Sequence, residues 1–373
     1  MATTTIKWHY ARTDLAEQVL DRFDIGATTA LTLFAPRRMG KTEFLLEDLL
    51  PMAAEQQDYL TVYVNFWDRM ADPVDSMILG LQKASRQFRF TTKAKQVLSR
   101  LRGGGIDTPV GGLRLELAEA DRRQKLEAVQ EMFDALMNDG RRVLLALDEV
   151  QHLATNSAFE PLVFALRGMI DTNRQQVRVI YTGSSRSGLQ KLFKRRNAPL
   201  FSSAQQIELP EFGRGYLEHM ATAFNMATGR TLDINACQAA FKMIKKVPFD
   251  YRQVLDQLIL GGGTDIRAAT SAYIQENSQD ETYSDTWTEM KPVDQAVVRW
   301  VLSRNPQGIY SQDARAFIAE RLGLDKINIH PIQNAVNRLM RNTVIAPVGQ
   351  GRYEVEDPYF ADWVTRTLPN QSR

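Results

Sequence analysis

At 373 residues, 44% apolar and 24% charged, the chain has an ordinary globular composition and length enough for two or three domains. A net charge of +2 is too near balance to identify a partner, so nucleic-acid contact has to come from a local patch. The single cysteine, Cys237, excludes a disulfide framework and a cysteine-based metal site, and four scattered histidines argue against a histidine-rich one.

Residues 1–8 lack the charged-then-apolar pattern of a signal segment, and no apolar run reaches the length of a membrane span. A soluble cytoplasmic protein is expected. Residues 9–26 predict a helix with Leu15, Val19, Leu20 and Phe23 on one face. The β-branched run 28–34 then predicts a strand, and residues 43–50 have helical spacing.

Between them stand Ala35, Pro36, Arg37, Arg38, Met39, Gly40, Lys41 and Thr42. Strand, tight loop and helix is the setting of a phosphate-binding loop, G-x-x-x-x-G-K-[ST], in which successive backbone N–H groups wrap the β-phosphate. Lys41 would reach the β- and γ-phosphates and the Thr42 hydroxyl would ligate Mg²⁺. Ala35 stands where the pattern has its first glycine. Gly40 is retained where backbone and phosphate come closest.

Residues 59–66 predict a second strand, and residues 73–90 a helix with Asp72 or Asp75 at its start. From Lys83 to Arg102 the chain carries seven basic residues and no acid. That run reads either as a grip on nucleic-acid phosphates or, preferably, as a solvated helix face balanced by Glu116, Glu119 and Asp121. Residues 111–117 alternate like an edge strand, and residues 122–138 are periodic as a helix.

In the stretch 141–151, a continuous apolar run follows Arg141 and Arg142 and ends in two carboxylates, Asp148 and Glu149. This is the pattern of a strand buried on both faces whose carboxyl end opens on a crevice. Asp148 would hold the Mg²⁺ shell from across the site, and Glu149 would orient and deprotonate an attacking water. After a helix at 157–171, the strand 177–182 ends at Gly183, Ser184 and Ser185, where a hydroxyl could touch the γ-phosphate or the water. A helix at 187–195 and a last strand at 206–209 complete an alternation that predicts a mostly parallel sheet with helices on both faces.

Residues 216–260 read as helical throughout, broken by Gly261–Gly263. A short helix, an acidic linker at 276–285, and helices at 292–304, 311–322 and 330–341 follow. Two strands, 343–347 and 352–355, close a winged-helix arrangement. Its residues 326–353 contain no acid, and Gln333, Asn334, Asn337, Arg338 and Arg341 could point outward into a DNA major groove. Packing against protein is the alternative use.

With these residues in hand, the chain resembles the prokaryotic AAA+/STAND branch of P-loop ATPases often called archaeal-type ATPases. The marks are Ala35–Thr42, Leu147-Asp148-Glu149, Thr182-Gly183-Ser184-Ser185, Ala198-Pro199-Leu200-Phe201 and the ending from Tyr353 to Trp363, so the resemblance covers most of the chain. It implies an α/β fold with a P-loop ATPase core (1–212), a helical lid (213–277) and a winged-helix domain (286–373). It further implies ATP and Mg²⁺ near a domain or subunit boundary, with Tyr10 and Arg12 near the adenine. Ser184 or Ser185 would be the first sensor and Arg252 the second, reporting the γ-phosphate.

Relatives carry an arginine soon after the Pro-Leu-aromatic stretch, whereas this chain reads Phe201-Ser202-Ser203, leaving Arg195 and Arg196 as substitutes to test for an arginine finger. Such a finger supplies roughly 10³–10⁵ in rate, so the expectation is a slow ATPase acting as a nucleotide-controlled switch. An ATP-controlled DNA-binding regulator or loader, assembling on double-stranded DNA, is the rival reading. An ATP-binding scaffold with little turnover, partnered by protein or by copies of itself, is the third.

Overall fold

The computed structural model describes residues 6–56, 59–85, 121–193, 200, 203–277, 280–303, 308–349 and 351–367. Most of the basic run, the strand expected at 111–117, Arg195 and Arg196, and most of the 198–201 mark lie outside the described residues.

Five strands, β1 (Ala30–Phe34), β2 (Leu60–Asn65), β3 (Val143–Asp148), β4 (Val177–Gly183) and β5 (Gln205–Glu208), form one sheet in the order β2-β3-β4-β1-β5. Every pairing is parallel. Parallel neighbours need crossover helices, which bury both faces of the sheet; hence β1 and β3 are buried at every residue. One face packs Leu31, Leu33, Leu144, Ala146 and Ile180 against Val19, Leu20, Phe23, Phe44 and Leu49. The other packs Val62, Val64, Leu145 and Val179 against Met77, Leu81, Met132, Phe133 and Leu166.

Strand β4 lies between β1 and β3, so the loop after β1 and the carboxylates after β3 flank a common neighbour. The register sets Leu33 beside Thr182, and Leu147 beside Tyr181. Both strand ends therefore meet at one level, on the sheet's carboxyl edge, where open α/β sheets bind ligands.

Three helices, Arg214–Thr228, Ile234–Met243 and Pro248–Gly261, make up the stretch expected to be helical throughout at 216–260. Gly229 (φ 71°) ends the first in the left-handed region, and Lys245 and Lys246 adopt φ of 54° and 57° before the third. With Ile266–Glu276 they build an apolar cluster around Phe224, Phe241, Tyr251 and Leu255, on which Trp8, Tyr10 and Phe212 also pack.

The acidic linker expected at 276–285 is corrected: Asp280–Glu289 is a helix. Trp287, one turn after Tyr283, is buried against the C-terminal cluster, and Tyr283 donates to Asp357 at 3.0 Å. Tertiary burial of two aromatic rings overrides a polar local composition here. Helices Pro292–Val301, Gln312–Arg321 and Ile329–Arg341 surround Val297, Ile318, Ile332 and Leu339, and the antiparallel hairpin β6 (Ile345–Gly349) and β7 (Arg352–Val355) follows. Helix Pro358–Thr367 completes this cluster. Among the described residues no helix is long and apolar enough to cross a membrane.

Candidate nucleotide site at the carboxyl edge of the sheet

The loop after β1 turns through Arg38 (φ 64°) and Gly40 (φ 88°) into a helical run over residues 41–56. Left-handed φ at position 40 is why glycine stands there; an added Cβ would meet nothing nearer than Glu43 at 3.8 Å, so backbone conformation rather than space demands it. The run is α-helical at Lys41–Glu43, widens to a π-helix over Phe44–Leu49 and returns to α at Leu50–Gln56.

Lys41 is only 4% exposed, and its ammonium donates to the carbonyls of Ala35 and Pro36, both at 2.8 Å. Burial lowers its pKa, with Glu149 and Asp148 pulling the other way through their charges. Lys41 thus lies in the field of both acids, and the loop's own carbonyls hold its ammonium.

Asp148, fully buried, is the junction of the site. Oδ2 accepts from Thr42 Oγ1 at 2.6 Å and Tyr63 OH at 3.0 Å; Oδ1 accepts from the Glu149 N–H at 3.0 Å and from Thr182 Oγ1. Four donors satisfy a carboxylate that would otherwise be costly to bury. Burial and the Asp148 charge push the Tyr63 phenol well above its usual range.

Glu149 leaves β3 with φ 56°, a left-handed turn that is uncommon for a residue with a side chain. Its Oε2 accepts from Ser184 Oγ at 2.8 Å and from the Gln151 amide. Ser184 and Glu149 are therefore together, as expected. Ser185 instead reaches Glu356 at 3.3 Å, just beyond β7.

A cavity of about 1170 Å³ opens here, walled by Ala35–Met39, Ser184–Arg186 and Gln151 on one side and by Arg341, Thr343, Glu356 and Tyr359 on another. Arg37 stacks on Trp67 at 4.8 Å. Arg38 lies over Phe249 at 5.1 Å and within 3.5 Å of Asp250.

Tyr10 and Arg12 pack between the helical run that starts at Lys41, where the Arg12 N–H donates to Asp48 at 3.1 Å, and residues 210–219. Tyr10 packs edge-on against Phe212, Tyr216 and His219. Arg12 stacks on Phe212 at 3.7 Å and donates to the Pro210 carbonyl at 2.5 Å. Burial lowers its pKa to about 10 against the charges of Asp48 and Glu43.

Arg252, expected as the second sensor, has its guanidinium 3.5 Å over the Trp8 ring and 3.0 Å from Asp256. It lies on helix Pro248–Gly261, and the Trp8 ring it covers packs with Tyr10 and Phe212 on the same apolar cluster. Arg338, expected to face outward, instead donates from Nε and Nη2 to the two carboxylate oxygens of buried Asp294. That contact raises its pKa.

Sequence reasoning missed several residues. Tyr63 and Thr182 hold Asp148; Thr182, near the end of β4, could have been signalled by position, whereas Tyr63 stands opposite Ala146, two residues short of the acid. Gln151, polar between buried Val150 and Leu153, holds Glu149. Asp250, 1% exposed, accepts from Tyr273 at 2.9 Å and from Tyr359; an acid in a first helical turn looks like an ordinary dipole partner until its neighbours are known.

No family model matches the sequence, and no curated protein matches it. Among solved structures, the Walker-type ATPase of Pyrococcus abyssi is similar with a TM-score of 0.60 at 15% identity, over 95% of this chain and 96% of that one. The ADP form of the ORC2 protein of Aeropyrum pernix is similar with a TM-score of 0.55 at 12% identity, over 99% of this chain and 95% of that one. The backbone of the sheet, its strand order and its crossover helices thus give this chain the α/β fold of the P-loop ATPases.

Proposed function

We propose that the chain binds ATP with Mg²⁺ and hydrolyses it slowly, as an AAA+/STAND-like switch whose nucleotide state sets the arrangement of lid and C-terminal domain. The observation that carries the reading is the 2.6 Å contact between Thr42 Oγ1 and Asp148 Oδ2 in the field of the Lys41 ammonium. The first helical turn after a phosphate loop and the acid of a separate strand meet at the point a phosphate-bound cation needs them.

The donor set suits Mg²⁺. Thr42 and Asp148 offer two hard oxygens, and among the described residues no group of three or more His, Cys, Asp or Glu gathers as a dedicated metal cage. Mg²⁺ accepts few protein ligands because phosphates and water fill its octahedron. When bound, it would neutralise charge on the β- and γ-phosphates.

The chain's own residues supply the rest. Backbone N–H groups of residues 37–42 cradle the phosphates, and the Lys41 ammonium exchanges its two carbonyl partners for phosphate oxygens. Glu149, anchored through Oε2, keeps Oε1 to take a proton from water. Tyr10 and Arg12 border the adenine, and Ser185 carries the state of the strand end to Glu356.

The division into core (1–212), lid (213–277) and winged helix (286–373) belongs to this reading. It is supported by separate apolar clusters and by three helices leading into the β6–β7 hairpin. Lys41→Ala is expected to abolish ATP binding, whereas Glu149→Gln binds ATP and stops turnover. Unchanged ATP affinity in the Lys41 variant refutes the assignment.

A DNA-binding regulator or loader is the second reading, favoured by exposed Asn334 and Asn337 beside buried Ala335 and Val336 on helix Ile329–Arg341. With Arg338 committed to Asp294 and Arg341 at the cavity rim, its cationic footprint is thin. Duplex affinity that requires ATP and falls steeply with salt would favour it over the switch alone.

A further inference from the structure

Beside the two acids sits a buried amide that ATP binding does not require. Gln151 lies on the 3-10 turn Val150–Ala154 and is only 8% exposed. Its Nε2 donates to Glu149 Oε2 and, at 3.1 Å, to Ser184 Oγ, while Ser184 Oγ donates to the same Glu149 oxygen at 2.8 Å. Three side chains from two strand ends and a turn close a ring. Both amide hydrogens and the serine hydrogen are used in it, and all of the donation to carboxylate converges on one oxygen.

Two further observations set Gln151 apart from a packing residue. Its carbonyl Oε1 is buried with no hydrogen-bond partner. An isosteric methionine would fill the same space without desolvating an unpaired acceptor, so packing alone does not account for an amide here. The surrounding backbone is also cut back around it: a Cβ at Gly183 would stand 2.7 Å from Oε1, and one at Gly188 would stand 2.5 Å from the Gln151 Cβ. Glu149 meanwhile holds a left-handed turn (φ 56°) that needs its side chain secured.

We propose that Gln151 is a positioning residue: its amide pins Glu149 Oε2 and the Ser184 hydroxyl together, so that Glu149 Oε1 is presented to the attacking water in one orientation. The inference rests on the ATP-hydrolysis reading and deepens it. It assigns no direct contact with nucleotide to Gln151.

The test compares wild type with Gln151→Met and Gln151→Glu in the full-length chain. It measures steady-state ATP turnover, affinity for a non-hydrolysable ATP analogue, thermal midpoint, and the Gln151 side-chain amide signals in ¹H–¹⁵N spectra. In wild type the amide is expected to exchange slowly with solvent and to shift on Ser184→Ala. Gln151→Met should keep its thermal midpoint and bind the analogue within about twofold of wild type, while kcat falls roughly tenfold or more, the scale of a misoriented general base. Gln151→Glu keeps the size, but beside the Glu149 carboxylate it has at most one hydrogen to donate, when protonated, and cannot hold Glu149 Oε2 and Ser184 Oγ together, so it should lose turnover as Gln151→Met does.

Wild-type kcat in Gln151→Met, recovery of kcat by Gln151→Glu, equal losses in affinity and kcat, or a freely exchanging amide would each overturn the proposal. A wild-type protein that binds the analogue but never turns over ATP overturns the ATPase reading itself. Turnover in wild type that is insensitive to position 151 overturns only the role of Gln151.

Discussion

The Tyr359 hydroxyl donates to the Asp250 carboxylate, joining helix Pro358–Thr367 to helix Pro248–Gly261 across 109 residues of sequence. Asp250 also accepts from Tyr273 of helix Ile266–Glu276 and lies 3.5 Å from Arg38 of the loop after β1. One nearly fully buried carboxylate thus touches that loop, two helices and the C-terminal segment at once. The backbone adds a second tie, Phe249 N–H to the Arg38 carbonyl at 3.4 Å, and Lys245 pairs with Asp362 at 2.8 Å on the rim. If nucleotide draws Arg38 toward phosphate, this junction is where the change reaches the C-terminal helix.

Tyr359→Phe removes that donor while keeping the ring. A hydrogen bond to a buried charged group contributes about 1.5–3 kcal/mol, so the variant should lose stability on that scale in denaturant unfolding. The Ile244 carbonyl, 3.1 Å from the same hydroxyl, loses its donor as well. An unfolding midpoint equal to that of wild type would mean that the contact does not hold the two segments together.

The clamp at His9 predicts a pH dependence. Its ring nitrogens lie 2.8 Å from Glu43 and 2.6 Å from Asp48. Burial opposes protonation, but hydrogen bonds and charges from both acids outweigh it, so the folded pKa is raised above 6.5. The proton is therefore bound more tightly in the folded chain than in the unfolded one. The resulting stabilisation is whole below 6.5 and lost as pH rises through the folded value. Relative to His9→Gln, wild type should be more stable at about pH 6 and should lose that margin by about pH 9. A margin independent of pH would show that His9 is held as a neutral ring.

Gly80 carries a packing prediction. A Cβ there would stand 2.5 Å from Val64 Cγ2 and 2.7 Å from the Tyr63 carbonyl oxygen, so helix Pro73–Ala84 approaches β2 closely at this glycine. The side chain of Val64 can give way but the β2 backbone cannot, and Gly80→Ala should cost about 1–3 kcal/mol as overpacking. It should cost this despite alanine's better helix propensity. Thermal unfolding at wild-type temperature would mean that the helix lifts off the strand without penalty.

How far the sequence was legible follows from the range of the interactions. The strand ending at Asp148, the strand from Val177 and the helix from Arg122 were readable because burial on both faces and helical period leave a local mark, and Gly40 because the loop pattern requires it; that its φ is left-handed came only with the structure. The helix at Asp280–Glu289 was not readable, because its anchor is the contact of Tyr283 with Asp357, Phe360 and Trp363, more than seventy positions away. Arg338 looked like an outward-facing cation for the same reason: its partner, Asp294, is 44 residues distant.

The sequence by itself determined the chemistry on offer: a lysine and a threonine after a glycine turn, two adjacent acids at a strand end, and hydroxyls at another. Those are covalent facts plus local backbone preferences, so they survive without knowledge of neighbours. Only the tertiary structure decided which of them meet. Inserting β4 between β1 and β3 brings Thr42 to Asp148 and Ser184 to Glu149, and the packing of helix Pro248–Gly261 sets Arg252 on Trp8. Strand order and helix docking are set by the total apolar area buried, a property of the whole chain that no single stretch of residues encodes.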